Sequence, residues 1–217
     1  MSLDKNELIA LSGMSDDEIL KLREQTINND CDDLLHAVEQ TEEQCMNAIE
    51  ESGANLLTIR DQTEGLCEFA VAYDPDNLRY VRNQTEELCT LAIELVPAFL
   101  GHVRNQTDEL CERTVRRNPY TIQFVHNQTE ELCLLAVGID PSTLSVIRNQ
   151  TEEICLLAVK NYAFAIREVR NQTEEICLAA VKIDGLALAY VRNQTQAVCE
   201  AAIENNPEAI SVIRFPS

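Results

Sequence analysis

The chain has 217 residues, 45% of them hydrophobic, with 17 basic against 37 acidic side chains and a net charge of −20. That balance argues against a general nucleic-acid surface, which needs clustered cations to neutralise phosphates, and favours basic partners wherever charge steers encounter. No apolar stretch approaches the roughly 20 residues that span a bilayer, and Met1 to Glu7 lacks the basic and apolar regions of a secretory leader, so a cytoplasmic, non-secreted protein without membrane contact is expected.

Residues 1–38 read as an N-terminal helical cap followed by a partial repeat. Asp4 to Leu11 suits a short helix stopped near Gly13, and Ser15 to Glu18 forms a capping box ahead of Ile19, Leu20 and Leu22. Leu34, Leu35 and Val38 suit a third short helix that is already repeat-like, since Leu34 lies 22 positions before Leu56.

From there one phrase recurs, Asn-Gln-Thr-Glu-Glu-(Leu/Ile)-Cys. Its threonines are Thr41, Thr63, Thr85, Thr107, Thr129, Thr151, Thr173 and Thr195, each 22 residues after the last. A strict period of this length marks stacked repeats, each burying its apolar face against the next. The expected fold class is therefore all-α, a solenoid of short two-helix, 22-residue repeats with an N-terminal helical cap. Eight full helix-turn-helix repeats occupy 39–214, and 215–217 is a tail.

Within a repeat, the first helix should start at the Thr, whose side chain can cap backbone N–H groups while the Glu pair meets the positive helix end. Asn83 with Glu86 offers a competing capping box two residues earlier. Ile154, Cys155, Ala158 and Val159 then form a core stripe at helical spacing. The second helix should begin at Asp74-Pro75, Asn118-Pro119, Asp140-Pro141 and Asn206-Pro207, each a cap followed by a first-turn proline. Its core columns run from Leu56 to Ile210 and, three residues later, from Ile59 to Ile213. No strand signal appears.

The chain has nine cysteines. Equivalent positions on neighbouring helices lie about 8–10 Å apart, too far for the roughly 7 Å limit of a disulfide, and no Cys-x-x-Cys pair starts a zinc site. Cys89, Cys111, Cys133, Cys155 and Cys177 are expected as reduced, buried core thiols. Two polar columns are expected as structural ladders. Gln84, Gln106, Gln128, Gln150 and Gln172 can pair the polar groups of each turn, although a row of amides also suits an extended ligand. Among Arg82, Arg104, Arg148, Arg170 and Arg192, the first four can pair with the acid four residues on while Arg192 faces Gln196, although a row of guanidinium groups also suits phosphates. The Asn-Gln-Thr triplets match the glycosylation sequon, but their Asn and Thr are already assigned to turns and caps. The regular Glu pairs come with no positioned His or Lys, and no Ser-His-Asp set, phosphate loop or metal cluster appears, so no enzyme, metal or cofactor is expected.

The phrase from Arg170 to Lys182, Arg-Asn-Gln-Thr-Glu-Glu-Ile-Cys-Leu-Ala-Ala-Val-Lys, resembles the short tandem repeats of proteins from giant DNA viruses of the mimivirus and megavirus kind, and a wider helical repeat family of unknown function. The resemblance covers 39–214. It implies a viral protein acting inside a host cell, without catalytic activity, and supplies no binding residues.

Function is therefore expected from the columns that vary between repeats. On the second helix these include Arg79, Tyr80, His102, Gln123, Phe124, Arg167 and Tyr190, a mixture of aromatic and cationic residues typical of interaction hot spots. The expected role is a non-enzymatic protein–protein interaction scaffold whose partner is a basic protein or peptide. The alternatives are a reader of nucleic acid or another extended polymer through the Arg and Gln columns, or self-assembly, for instance as a homodimer through the solenoid ends.

Overall fold

The computed structural model describes residues 39–214. The expected N-terminal cap, partial repeat and tail lie outside the described residues. The chain divides after Val103 into two compact units. Each is a run of one motif, an α-helix followed by a 3-10 helix, and no strand occurs among the described residues. The first unit contains α1 (Glu42–Glu51), η1 (Gly53–Leu57), α2 (Glu64–Tyr73), η2 (Pro75–Tyr80), α3 (Glu86–Leu95) and η3 (Pro97–His102). The second contains α4 (Asp108–Arg117), η4 (Pro119–Phe124), α5 (Glu130–Ile139), η5 (Pro141–Val146), α6 (Glu152–Asn161), η6 (Ala163–Glu168), α7 (Glu174–Ile183), η7 (Gly185–Tyr190), α8 (Gln196–Asn205) and η8 (Pro207–Val212). Within each unit α packs beside α and η beside η. The result is an all-α solenoid with two layers.

Every α-helix starts where its Thr predicts. Thr85 Oγ1 accepts from the Leu88 N–H at 3.3 Å, and Thr151 Oγ1 does the same for Ile154 at 3.4 Å. Thr85, not Asn83, is the cap, which settles the two-residue ambiguity. At Thr41 the Gln44 side chain also reaches back to the cap N–H, completing a capping box.

The second helix of each repeat is the main departure from expectation, since it is 3-10 rather than α. Six 3-10 residues span about 12 Å, against about 9 Å for six α-helical residues, and so come closer to the roughly 15 Å of the ten-residue helix they pack against. Its caps are as expected. Asp74, Asn118, Asp140, Asp184 and Asn206 accept from the N–H two residues on.

Within each unit the two layers meet on an aliphatic core. In the second unit it contains Ile154, Cys155, Ala158 and Val159 from α6 and Leu144, Ile147, Ile166 and Val169 from the η layer. Ile210 departs from its column. Its equivalents from Leu56 to Leu188 are fully buried, whereas Ile210 is 63% exposed. The few buried polar side chains are paired. Asn77 Nδ2 donates to the Ala70 carbonyl at 2.9 Å, and Thr114, Thr121 and Thr143 donate to carbonyls at 2.7 Å.

Candidate functional site

The regular columns are used in holding the repeats together. Gln150 shows the pattern. Its Nε2 donates to the Leu144 carbonyl at 2.8 Å and the Glu168 carbonyl at 3.0 Å, while its Oε1 accepts from the Arg170 N–H at 2.8 Å. Those groups lie at the ends of two successive 3-10 helices, where the Leu144 carbonyl also accepts from the Ile147 N–H at 3.3 Å. Gln128 and Gln172 make the same three bonds one repeat back and one repeat on. Gln84 donates to Leu78 and His102, and Gln106 binds the Phe124 carbonyl and the His126 N–H.

The Arg column does something other than pair with acids. Arg148 Nη1 and Nη2 donate to the carbonyls of His126 and Gln123, at 2.9 and 3.0 Å. Arg82 grips Arg60 and Leu57 in the same way, Arg170 reaches Arg148, and Arg192 reaches Arg170, the last two at 2.7 Å. Arg104 is exposed at the start of the second unit. The guanidinium groups of Arg82, Arg148, Arg170 and Arg192 thus clasp the preceding turn. The Glu on which pairing was expected turns elsewhere: Glu152 accepts from the Thr173 hydroxyl and Glu174 from that of Thr195.

Cys89, Cys111, Cys133, Cys155 and Cys177 are buried free thiols. Burial raises the pKa of each, that of Cys133 to about 11, with the neighbouring Glu130 adding to the effect. Thiols held protonated in this way are poor nucleophiles. Among the described residues no cluster of His, Cys, Asp or Glu is placed to hold a metal, and no helix is long and apolar enough to cross a membrane.

The varied columns of the η layer fall into two groups. In the first unit Arg79 and His102 are drawn into a polar cluster. Arg79 Nη2 donates to His102 Nε2 at 2.8 Å and lies 2.8 Å from Asp76 Oδ1. His102 Nδ1 is 3.3 Å from the same carboxylate but out of hydrogen-bond alignment, and the Phe99 ring covers the imidazole at 5.2 Å. Burial first, and then the Arg79 charge, lower the His102 pKa, while Asp76 opposes them. Tyr80 beside them is half-buried.

In the second unit Phe124 is half-buried and the exposed Gln123 turns back onto the Tyr120 carbonyl. Further on, Tyr190 joins a cluster that column reasoning did not name. Phe164 meets Tyr190 edge to face at 5.8 Å and Tyr162 at 5.6 Å. Tyr162 and Tyr190 are 50% and 44% exposed, so this is a surface cluster rather than core. Arg167 lies one 3-10 turn beyond Phe164, on the same side, with its Nε 2.8 Å from Glu168. Tyr162 did leave a trace in the sequence. It stands where most repeats place Asp or Asn as cap, and no side-chain cap bond replaces the one lost. A residue that breaks a local rule without structural return is a candidate for function.

No family model, curated protein or solved structure matches this chain.

Proposed function

We propose that the chain is a non-enzymatic protein-interaction scaffold that presents the Tyr162, Phe164, Tyr190 and Arg167 surface of its η layer to a protein or peptide partner. The observation that carries this reading is the exposed aromatic cluster. Rigid rings beside a guanidinium make large contacts at low entropic cost, and such residues dominate binding energy in alanine scans. The net charge of −20 supports a basic partner. The Arg column lends less support to polymer reading, since its donors are already engaged by carbonyls. The resemblance of the repeat phrase to giant-virus repeats adds a setting, a viral protein at work in the host cytosol.

The test is affinity capture from host-cell extract, followed by a direct affinity measurement with the recovered partner. Tyr162→Ala with Tyr190→Ala should weaken that affinity by about 2 kcal/mol or more while leaving helical content unchanged. Full affinity in the double variant would defeat the reading. Loss of binding on addition of a polyanion, combined with retention in the Tyr variants, would favour the polymer reader.

A further inference from the structure

The outer side of the α layer in the second unit carries a feature that the repeat does not need. The column through positions 112, 134, 156, 178 and 200 reads Glu112, Leu134, Leu156, Leu178, Glu200. Glu112 and Glu200 stand exposed on equivalent backbone, so stacking makes no demand for an apolar residue there. The three consecutive leucines rest half-buried, packed on the core beneath and open to solvent above. An open trough of about 410 Å³ lies between α5 and α6, lined by Leu134, Leu156, Leu157, Glu152, Glu153 and Lys160. A second, of about 430 Å³, lies one repeat back against Leu132, Leu135 and Glu131.

One edge of this face is strongly acidic. It holds the Glu pairs 130/131, 152/153 and 174/175, against Lys160 and Lys182 on the opposite edge. Glu130, Glu152 and Glu174 accept from the Thr hydroxyl of the next repeat, at 2.6, 2.9 and 2.7 Å. Glu131, Glu153 and Glu175 are exposed and accept no hydrogen bond from the described residues. Three helix N-termini of about half a positive charge each offset only part of the six carboxylates.

We propose that this face docks a basic amphipathic helix of a partner protein, laid across α5, α6 and α7. Its apolar stripe sits over Leu134, Leu156 and Leu178, and its cations meet Glu131, Glu153 and Glu175. The spacing gives the partner a register. Neighbouring helices lie about 8–10 Å apart, and a helix rises 1.5 Å per residue, so equivalent partner residues recur about every five to seven positions, of which about seven, two full turns, keeps them on one face. A heptad-like alternation of Leu and Lys fits both rows at once. The proposal gives the scaffold reading a second surface and a partner chemistry. It is independent of the aromatic cluster, because Tyr190→Ala leaves this face intact.

The probe is a synthetic helical peptide of about 21 residues, three heptads with Leu and Lys in that register, titrated calorimetrically against the full chain. A second peptide keeps the composition but scrambles the register. Glu131→Gln, Glu153→Gln and Glu175→Gln together should weaken the first peptide about tenfold, against less than about threefold for the charge-matched Glu94→Gln, Glu204→Gln and Glu208→Gln set. Leu156→Gln, which leaves the charge alone, should also cost about tenfold with helical content retained. Equal losses in the two Glu sets, or equal binding of the scrambled peptide, would overturn the proposal. The exposed Glu variants keep the test valid even if Leu156→Gln impairs folding.

Discussion

The Gln ladder makes the most exacting claim about what holds the repeats together. In Gln150→Ala, the Glu168 carbonyl and the Arg170 N–H lose the Gln partner, and the Leu144 carbonyl loses its second donor while keeping the Ile147 N–H at 3.3 Å. The first two bonds are half-buried and the third is near solvent. At about 1 kcal/mol for the Glu168 bond and about 0.5 for each of the other two, the variant should lose about 2 kcal/mol. Urea unfolding followed by circular dichroism measures this, with Asn161→Ala, an exposed neighbour, as a control expected within about 0.5 kcal/mol. Hydrogen exchange gives a local reading, since the Arg170 amide should lose protection before amides in the α6 interior do. Gln150→Glu sharpens the test. The carboxylate still accepts from Arg170 but faces two carbonyl oxygens, so at neutral pH it should cost at least as much as Ala. That environment raises the carboxyl pKa in the folded state, so the penalty is present above the folded pKa and shrinks as pH falls through it, when protonation restores one donor. An Ala variant within about 0.5 kcal/mol of the parent, with Arg170 protection unchanged, would refute the claim that the ladder couples repeats.

The buried cysteines should resist a thiol reagent until the protein unfolds, with half-buried Cys199 the first of the eight repeat cysteines to react; fast native labelling of Cys133 would contradict its burial. Cys133→Ser should cost about 1–3 kcal/mol in a chemical melt, as a hydroxyl without a built partner enters the core. Gly185→Ala drives a Cβ into the Ala202 carbonyl oxygen and to 2.9 Å from the Asn206 Cβ, so overpacking should cost about 1–3 kcal/mol; a parent-like melting temperature would show that α8 can shift freely. His102 should titrate by NMR below the ordinary histidine value. Because its folded pKa is lowered, the unfolded chain binds the extra proton first, and stability should fall as pH drops through the unfolded value of about 6.5 until the folded pKa is passed. Arg79→Ala should move the His102 midpoint upward; a downward move would remove the Arg79 contribution.

Much of the architecture was legible because its signals are local. Thr at the N-cap, Asp or Asn before Pro, and the stripe of Ile154, Cys155, Ala158 and Val159 each act within one or two turns, and the 22-residue step repeats the Thr and the stripe eight times and the Pro signal four times. The 3-10 character was not legible, and the second core column, such as Val81, lies just past the helix in extended backbone, so its spacing of three from Leu78 does not report the helix type. The α reading there failed because Pro and cap residues open either kind of helix.

The polar columns were harder. Arg148 and Glu152 have the spacing of a helical pair, yet they do not share a helix, because the bend and the Thr cap intervene. The guanidinium finds carbonyls of the preceding turn, 22 and 25 residues back in the chain. Likewise, Tyr80 and Tyr190 share a column, but one is half-buried and the other is exposed in a ring cluster with Phe164 and Tyr162. Leu134 and Leu156 read as ordinary helix residues until the structure opens a trough beside them.

The sequence by itself determined the period, the helix starts, the core columns and the net charge, because capping and apolar periodicity act between residues close in the chain. Only the tertiary structure decided what each Gln and Arg binds, which aromatic rings meet, and which leucines remain open to solvent. Those outcomes depend on the distance and angle between successive repeats, and that geometry is set by packing across about 20 residues of chain, beyond the reach of any local rule.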